Sequence, residues 1–252
     1  MDIHDSSALV TGAASGLGAA TAAYLAERGA RVVGLDLQQQ INNAPDVGGV
    51  TYVAADVTDA EQVRAGVAEA TASGPLRTVV NCAGIGPSAR ILGKKGAHDL
   101  ALFETVIRVN LVGTFTVLTL AAEAMAETEP VDADGQRGVV VNTTSVAAFE
   151  GQIGQAAYAA SKGGVHSLTI TAARDLSSRG IRVNTIAPGI VETPMLAGIN
   201  DEFRESLAAG VPFPHRLARP EEYARLVGTF IDQDYLNGTT IRMDGALRMP
   251  PR

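Results

Sequence analysis

Short runs of β-branched residues alternate with longer alanine-rich stretches along almost the whole chain, and this alternation limits the fold more than any other feature. The short runs are largely apolar throughout, which is typical of strands buried on both faces. Strands that alternate with helices form parallel sheets covered by helices on both sides. No Pro-, Gly- or Ser-rich linker divides the chain. We therefore predict one α/β domain over residues 1–252, with a doubly wound parallel sheet.

The same pattern gives approximate boundaries for the elements. Predicted strands cover residues 8–10, 31–36, 50–54, 76–81, 138–143, 181–187 and 239–242, and predicted helices cover residues 16–28, 59–71, 98–126, 155–178 and 220–231. Three stretches interrupt the alternation, at residues 86–97, 129–136 and about 190–216. Long irregular segments in compact domains often cover a binding site, so we expect 190–216 to be a lid.

Charge and cysteine content exclude several function classes. The net charge is −7, whereas a general nucleic-acid binder needs a basic face, so we expect no nucleic-acid partner. Cys82 is the single cysteine, which excludes an internal disulfide and fits a reducing compartment. The four histidines have no metal-ligand spacing, and we expect no metal. No uninterrupted apolar run reaches about 18 residues, and no leader segment is visible. We therefore expect a cytoplasmic protein without a membrane segment.

A glycine-rich turn lies between the first predicted strand and the first helix. Gly12, Gly16 and Gly18 occupy the first, fifth and seventh places of the pattern Gly-x-x-x-Gly-x-Gly, with Ser15 and Leu17 between them. Such a turn lets a pyrophosphate approach the free N–H groups at the helix N-terminus. A purely structural turn is the alternative reading, but the position between a strand and a helix favours a dinucleotide.

Asp36 ends the second predicted strand, roughly 20 residues after the glycine turn, where a carboxylate can accept hydrogen bonds from the adenosine ribose hydroxyls. The same carboxylate repels a 2′-phosphate, and no Lys or Arg follows Asp36 and Leu37 closely. We therefore predict NAD as the cofactor, with an ordinary acidic turn as the alternative. Other strand-end residues predicted to line the cofactor site are Asp56, Val57, Asn81, Ala83 and Gly84.

Tyr158 and Lys162 are four residues apart, so they share one face of a predicted helix, and Ser145 follows the preceding strand. Oxidation of an alcohol needs a base, and tyrosine is a poor base unless its pKa is lowered. A neighbouring ammonium favours the phenolate, and a serine hydroxyl can stabilise charge on the substrate oxygen. A lone Tyr-x-x-x-Lys pair is usually an exposed helix face, so the surrounding motifs decide its meaning.

Together these motifs resemble, in order along the chain, those of the short-chain dehydrogenase/reductase family. The matching residues are 11–18, Asp56, 81–84, Asn110, Ser145, Tyr158, Lys162, Pro188 and Gly189. The resemblance implies a Rossmann-type fold with a seven-stranded parallel sheet and a homotetramer or homodimer without metal. It also implies that Asn110 holds a water in a proton relay through Lys162. Tyr158, Lys162, Pro188, Gly189, Ile190, Val191 and Thr193 are implied to contact the cofactor.

Further segments resemble a narrower group in that family, the type II 3-hydroxyacyl-CoA dehydrogenases, also called type 10 17β-hydroxysteroid dehydrogenases. They are residues 135–138, 142–152, 211–214, 236–249 and the insertion at 94–96. The resemblance implies oxidation of (S)-3-hydroxyacyl-CoA thioesters with side activity on steroid alcohols. Because animal relatives are mitochondrial, a chain without a presequence is expected to be a bacterial cytoplasmic protein.

Several alternatives stay open at this point. A 3-oxoacyl reductase or a hydroxysteroid dehydrogenase could use the same scaffold, and a non-catalytic dinucleotide-sensing module could keep the glycine turn. Lys94 and Lys95 are candidates for binding CoA phosphates or are solvated loop residues. Met195, Leu196, Ile199 and Phe203 could cover an acyl chain or pack a short helix. Cys82 is expected to be a packed thiol.

Overall fold

The fold is described from a computed structural model that covers residues 1–94, 96–196 and 200–251. Seven strands form its central sheet, and two short strands form a separate ribbon. The strands are β1 Ser7–Thr11, β2 Arg31–Asp36, β3 Val50–Ala54, β4 Leu76–Asn81, β5 Leu92–Gly93, β6 Gly96–Ala97, β7 Gly138–Thr143, β8 Ile181–Pro188 and β9 Thr240–Met243.

The α-helices of the described residues lie between these strands, and all except α2 and α7 fall close to predicted helices. They are α1 Gly16–Glu27, α2 Gln38–Ile41, α3 Ala60–Ser73, α4 Leu100–Ile107, α5 Thr114–Ala126, α6 Ala156–Asp175, α7 Asp201–Ala209 and α8 Pro220–Asp232.

The seven-stranded sheet has the order β3-β2-β1-β4-β7-β8-β9, and every pairing in it is parallel. The chain winds outward in one direction from β1 to β3 and in the other from β4 to β9. This reversal opens a crevice at the carboxyl ends of β1 and β4, which is where ligands bind in sheets of this kind. The predicted seven-stranded doubly wound sheet is confirmed.

Alternate residues of each central strand enter two apolar layers, because side chains point to opposite faces along a strand. In β1, Leu9 lies in the layer covered by α3, α5 and α6, whereas Ala8 and Val10 lie in the layer covered by α1 and α8. Tyr223 and Phe230 of α8 are fully buried in the second layer. The two layers fix the strand ends, and with them the side chains at the crevice.

The predicted helix 98–126 differs from the observed one in two ways. It begins at Leu100, because the Asp99 carboxylate accepts a hydrogen bond from the Ala101 N–H at 2.9 Å and caps the helix. It is also interrupted between α4 and α5 by a π-helical turn, Arg108–Gly113. Such turns inside α-helices are frequent at functional sites.

Two of the three predicted irregular stretches contain regular structure. Residues 86–97 include the antiparallel β5–β6 ribbon, whose turn carries the exposed Lys94. The lid segment 190–216 includes a 3₁₀ turn at Pro194–Leu196 and the helix α7. The division of the chain into one domain with a lid stays a prediction.

Within the described residues, the continuous helix Leu100–Ala126 is long and apolar enough to span a membrane, judged by length and composition alone. Core helices pass the same test, so this is weak evidence. Our expectation of no membrane segment considered only uninterrupted apolar runs and therefore did not take the overall composition of this predicted helix into account. Val106, Val117, Ala121 and Met125 are buried against the rest of the protein, which is the periodic pattern of a core helix.

Arg182 of β8 is a buried cation with many partners. Its Nη1 donates to the carbonyl oxygens of Phe230 and Leu236, at 2.7 and 3.0 Å, and its Nε donates to the Gln136 amide oxygen at 2.9 Å. Burial lowers the pKa of the guanidinium, while the Asp234 carboxylate raises it. Arg182 thus ties the C-terminal end of α8 to the sheet.

Candidate active site

The glycine turn follows β1 at the crevice. Gly12 has a φ of +67°, and a Cβ atom there would lie 2.9 Å from the Ala83 nitrogen. A Cβ atom at Gly18 would overlap the Gly12 carbonyl oxygen. The backbones of three segments can therefore come this close only because both positions lack a side chain.

The N-terminus of α1 faces the segment that follows β8. Ser15 is the N-cap residue, but its side chain makes no capping hydrogen bond, and the first turn of α1 has no acidic residue. A Cβ atom at Gly16 would lie 3.3 Å from the Thr193 side chain. The structure thus places Thr193 beside Gly16, at the helix end where the first N–H groups have no acceptor within the helix, and this arrangement fits the pyrophosphate of a dinucleotide.

Asp36 ends β2 beside this turn, and both of its carboxylate oxygens are held. The Ala14 N–H donates to Oδ2 at 3.0 Å, and the Leu37 N–H donates to Oδ1 at 2.8 Å. The carboxylate remains partly exposed and has lone pairs for further donors. Its placement therefore fits the predicted contact with ribose hydroxyls.

The end of β4 is fixed by a hydroxyl that our reasoning from the sequence missed. Thr11 Oγ1 accepts hydrogen bonds from the Cys82 and Ala83 N–H groups, both at 3.1 Å. The Asn81 side-chain amide points toward the neighbouring strand β7, where it donates to Asn142 Oδ1 at 2.9 Å. It cross-links β4 and β7, and a contact of Asn81 with the cofactor stays a prediction.

The other predicted cofactor residues also lie at strand ends. Asp56 follows β3 and accepts a hydrogen bond from the Thr58 N–H at 2.8 Å, and the buried Val57 packs closely against Gly113. Pro188, the last residue of β8, pairs in register with Met243 of β9. The next residues, Gly189, Ile190 and Val191, are held by hydrogen bonds to Met243 and Ala218 and by a bridge to Ala218.

Lys162 lies at the floor of the crevice and is only 4% exposed. Its Nζ donates to the Thr143 carbonyl oxygen at 2.8 Å and lies 5.8 Å from the centre of the Tyr158 ring. Burial lowers the pKa of the ammonium to about 8. A Cβ atom at Gly84 would lie 3.5 Å from Nζ, so glycine leaves room beside the cation.

Tyr158 and Ser145 meet next to this lysine. Burial raises the pKa of the Tyr158 hydroxyl, and hydrogen bonding with the Ser145 side chain lowers it in part. We expected the Lys162 ammonium to lower the pKa of Tyr158, but in this structure burial raises that pKa and Ser145 is the group that lowers it. Ser145 Oγ also accepts the Ala147 N–H at 3.1 Å, so its own hydroxyl proton can be donated to Tyr158 or to a substrate oxygen.

Asn110 lies in the π-helical turn and is fully buried. Its Oδ1 accepts the Ile85 N–H at 2.8 Å, and its Nδ2 donates to the Ile85 carbonyl at 2.9 Å and to Ser161 Oγ at 3.0 Å. The amide therefore fastens the loop after β4 to α6. The predicted water in a relay with Lys162 stays a prediction.

Cys82 is enclosed by polar neighbours, and its environment argues against a nucleophilic role. Its Sγ lies 3.7 Å from the Tyr223 hydroxyl and 3.8 Å from Thr143 Oγ1, and those two oxygens are 2.7 Å apart. Burial raises the pKa of the thiol, which disfavours the reactive thiolate. Tyr223, on the distant helix α8, was not predicted.

The lid segment approaches the reaction centre through Met195. A Cβ atom at Gly86 would lie 3.5 Å from Met195 Sδ and 3.6 Å from Tyr158 Cε2. Gly86 therefore lies between the side chains of Met195 and Tyr158, in close contact with both. Met195 is 61% exposed, which is consistent with a surface facing a ligand. Ile199, Lys95 and the Phe203 side chain lie outside the described residues.

The arrangement can orient an alcohol or ketone oxygen between two hydroxyl groups above a buried amine. Within the described residues, no group of three or more His, Cys, Asp or Glu side chains could hold a metal ion. The absence of a metal from the reaction stays a prediction.

Comparisons with known proteins agree with this geometry. The family model described as "short chain dehydrogenase" matches residues 6–203. The chain therefore belongs to the short-chain dehydrogenase/reductase family of oxidoreductases.

Its relatives include a narrower group. The chain is 50% identical over 250 residues to the 3-hydroxyacyl-CoA dehydrogenase type-2 of Bos taurus, covering 97% of this chain and 95% of the relative. It is 50% identical over 255 residues to the protein of that name from Drosophila melanogaster, covering 99% and 100%. A crystal structure of 3-hydroxyacyl-CoA dehydrogenase type-2 from Mycobacterium avium matches with a TM-score of 0.92 and 41% identity, covering 98% of each chain.

Proposed function

We propose that the protein interconverts (S)-3-hydroxyacyl-CoA and 3-oxoacyl-CoA with NAD as the hydride carrier. The observation that carries the proposal is the convergence of Ser145, Tyr158 and Lys162 at the carboxyl ends of β4 and β7, beside the glycine turn. The names of the relatives support the substrate class.

In this reaction the hydroxyl groups of Ser145 and Tyr158 hold the substrate oxygen. Ser145 donates a hydrogen bond to it, and Tyr158 takes a proton from the alcohol or returns one to the ketone. Lys162 would hold the nicotinamide ribose and, while protonated, would favour the phenolate electrostatically. When bound beside these residues, NAD would supply the hydride chemistry at the carbon of the alcohol or ketone.

The raised pKa of Tyr158 gives this proposal a direction with pH. The hydroxyl stays protonated at neutral pH, which suits reduction of the ketone, whereas oxidation needs the phenolate. We therefore expect the rate of alcohol oxidation to rise with pH above neutrality. An oxidation rate independent of pH between about 7 and 10 would contradict this role for Tyr158.

Asp36 supports NAD over NADP, because its carboxylate is already fixed by two N–H groups and would repel a 2′-phosphate. The test is the steady-state reduction of acetoacetyl-CoA with NADH or NADPH. We expect NADH to be preferred at least about a hundredfold, the equivalent of roughly 2.7 kcal/mol. A preference for NADPH would refute the assignment and favour a 3-oxoacyl reductase.

The catalytic role of Tyr158 is tested by replacing it with phenylalanine. Tyr158→Phe is expected to bind NADH normally, as followed by NADH fluorescence, and to lose turnover. Tyr235→Phe is the matched control, because Tyr235 is fully exposed. If the parent binds NADH but turns over neither 3-hydroxyacyl-CoA nor a hydroxysteroid, a dinucleotide-sensing module becomes the better description.

We also propose a homotetramer. Leu100, Phe103, Val112 and Phe115 expose apolar side chains along α4–α5, and Ile170 does so on α6. Apolar surface of this kind is typical of subunit interfaces. Analytical ultracentrifugation should give the mass of four chains, and Phe115→Glu should give a smaller assembly.

A cytoplasmic location in a bacterium stays a prediction, which cell fractionation would test.

A further inference from the structure

Four charged side chains join the C-terminal tail, residues 242–251, which includes the last residues of β9, to the segment that follows β7. Arg242 donates to both carboxylate oxygens of Glu150, at 2.9 and 3.2 Å, and its Nε donates to Asp244 at 2.6 Å. Arg248 lies 3.3 Å from Glu150 and 3.2 Å from Asp244. The two cations and two anions balance.

Backbone groups extend this contact along the tail. The Met249 N–H donates to Glu150 Oε2 at 3.0 Å, and the Ile153 N–H donates to the Pro251 carbonyl at 3.0 Å. Glu150 therefore accepts from two guanidinium nitrogens and one backbone amide at once. Strong hydrogen bonds of this kind involve a charged partner on at least one side.

Glu150 is linked to the reaction centre by a very short path. The Glu150 N–H donates to the Val146 carbonyl at 3.0 Å, and Val146 directly follows Ser145. The 3₁₀ turn Val146–Ala148 begins at Ser145, whose Oγ accepts the Ala147 N–H. A shift of Glu150 would therefore move the turn that orients the Ser145 hydroxyl.

Ring contacts hold the same segment from a second side. The Arg242 guanidinium lies 5.2 Å from the centre of the Phe149 ring, and the His166 ring lies 4.8 Å from Phe149 at 60°. His166 is one helical turn after Lys162 on α6. The segment is thus clamped between the tail and the helix that carries the catalytic lysine.

We propose that the Glu150–Arg242 pair is a latch through which the C-terminal tail positions Ser145 for the reaction. Glu150 and Arg242 are positioning residues, since they act through the turn 146–148. The inference rests on the proposed function of Ser145. Their side chains are 23% and 22% exposed, so solvent screens them less than it does the exposed surface pairs.

The test compares Glu150→Gln with a matched control at another bidentate pair. Arg28 contacts Asp232 at 2.7 and 3.2 Å, far from the reaction centre, so Asp232→Asn removes a similar ion pair. For Glu150→Gln we expect kcat with acetoacetyl-CoA and NADH to fall about tenfold or more. The dissociation constant of NADH should stay within about twofold, and Asp232→Asn should match the parent in both.

A second readout does not depend on turnover. Hydrogen–deuterium exchange of a peptide covering 145–150 should accelerate in Glu150→Gln, because the Ala147 N–H is bonded to Ser145 Oγ. The milder variant Arg248→Gln should show a smaller change in exchange in the same direction. It replaces Glu150→Gln in this test if Glu150→Gln does not fold. The pH midpoint of kcat/KM should also rise, since Ser145 lowers the pKa of Tyr158.

Unchanged exchange at 145–150 in Glu150→Gln would overturn the latch, whatever the activity. So would a loss of NADH affinity parallel to the loss of kcat, because that marks a general defect of the fold. If the parent itself shows no turnover, the proposed function fails, and the exchange measurement still decides whether the tail positions Ser145.

Discussion

Burial of Lys162 has a consequence for stability that can be measured without substrate or cofactor. The pKa of its ammonium falls from 10.5 to about 8 on folding. Between these values the unfolded chain binds a proton at Lys162 that the folded chain does not bind. Stability therefore rises with pH across this window, and the stability gain is absent below about pH 8.

The perturbation that isolates this effect is Lys162→Met, which removes the charge and keeps a long apolar side chain. The free energy of unfolding of the parent, minus that of the variant, should be flat below pH 7. With the two pKa values above, it should rise by about 2.5 kcal/mol between pH 7 and pH 10. Taking the difference cancels the pH dependence contributed by other groups that titrate in this range. This includes Tyr158, provided that its pKa is the same in both proteins.

The assay is urea denaturation followed by far-UV circular dichroism, because the chain has no tryptophan to report unfolding. Protein concentration must be the same throughout, since an oligomer gains stability with concentration. A difference that stays flat within about 0.5 kcal/mol from pH 7 to pH 10 would show that Lys162 titrates normally. The account of a desolvated lysine beneath Tyr158 would then be refuted.

Three further predictions concern a glycine, a buried cation and the thiol. Gly18→Ala should lower stability by about 1–3 kcal/mol and weaken NADH binding, because its Cβ atom would overlap the Gly12 carbonyl oxygen; Gly163→Ala, where a Cβ atom meets nothing within 4 Å, should do neither. Arg182→Met should lower the free energy of unfolding, measured by urea denaturation, by about 3 kcal/mol or more, because it leaves several carbonyl groups without their donor. The control Arg64→Met removes an exposed pair with Glu123 and should change stability by less than about 1 kcal/mol. Equal losses in the two variants would contradict this reasoning. Cys82 should react with iodoacetamide at pH 7.5 at least about a hundredfold more slowly in the native protein than in urea, because burial raises the pKa of the thiol. Mass spectrometry follows the reaction, and comparable rates in the two states would argue against that burial.

The sequence was sufficient for features that depend on neighbouring residues. Strand β2 was predicted with the bounds that it has, because its apolar run is short and ends at Asp36. The proximity of Tyr158 and Lys162 was predictable because they lie about one turn apart on a single helix. The helix α7, Asp201–Ala209, was predicted only as an alternative, because the prolines around it indicated an irregular segment.

Features that depend on distant residues could not be predicted. Glu150 and Arg242 both lie in segments that suggested the narrower resemblance, but nothing in the sequence pairs residues 92 positions apart. The pKa of Tyr158 depends on how deeply the folded chain buries its hydroxyl. For the same reason, the partners of the Asn110 amide became visible only once the loop after β4 was placed.

The π-helical turn at Arg108–Gly113 acts as a phase shift between two helical registers. One additional residue is accommodated there, so residues before and after the turn face directions that a continuous α-helix could not combine. Val106 and Asn110 are buried in the part of the helix that ends in the turn, and Val117 and Met125 are buried in the part that follows it. Deleting a single residue within the turn would rotate α5 by about 100°. The helix is therefore intolerant of length changes at the position where it reaches the reaction centre.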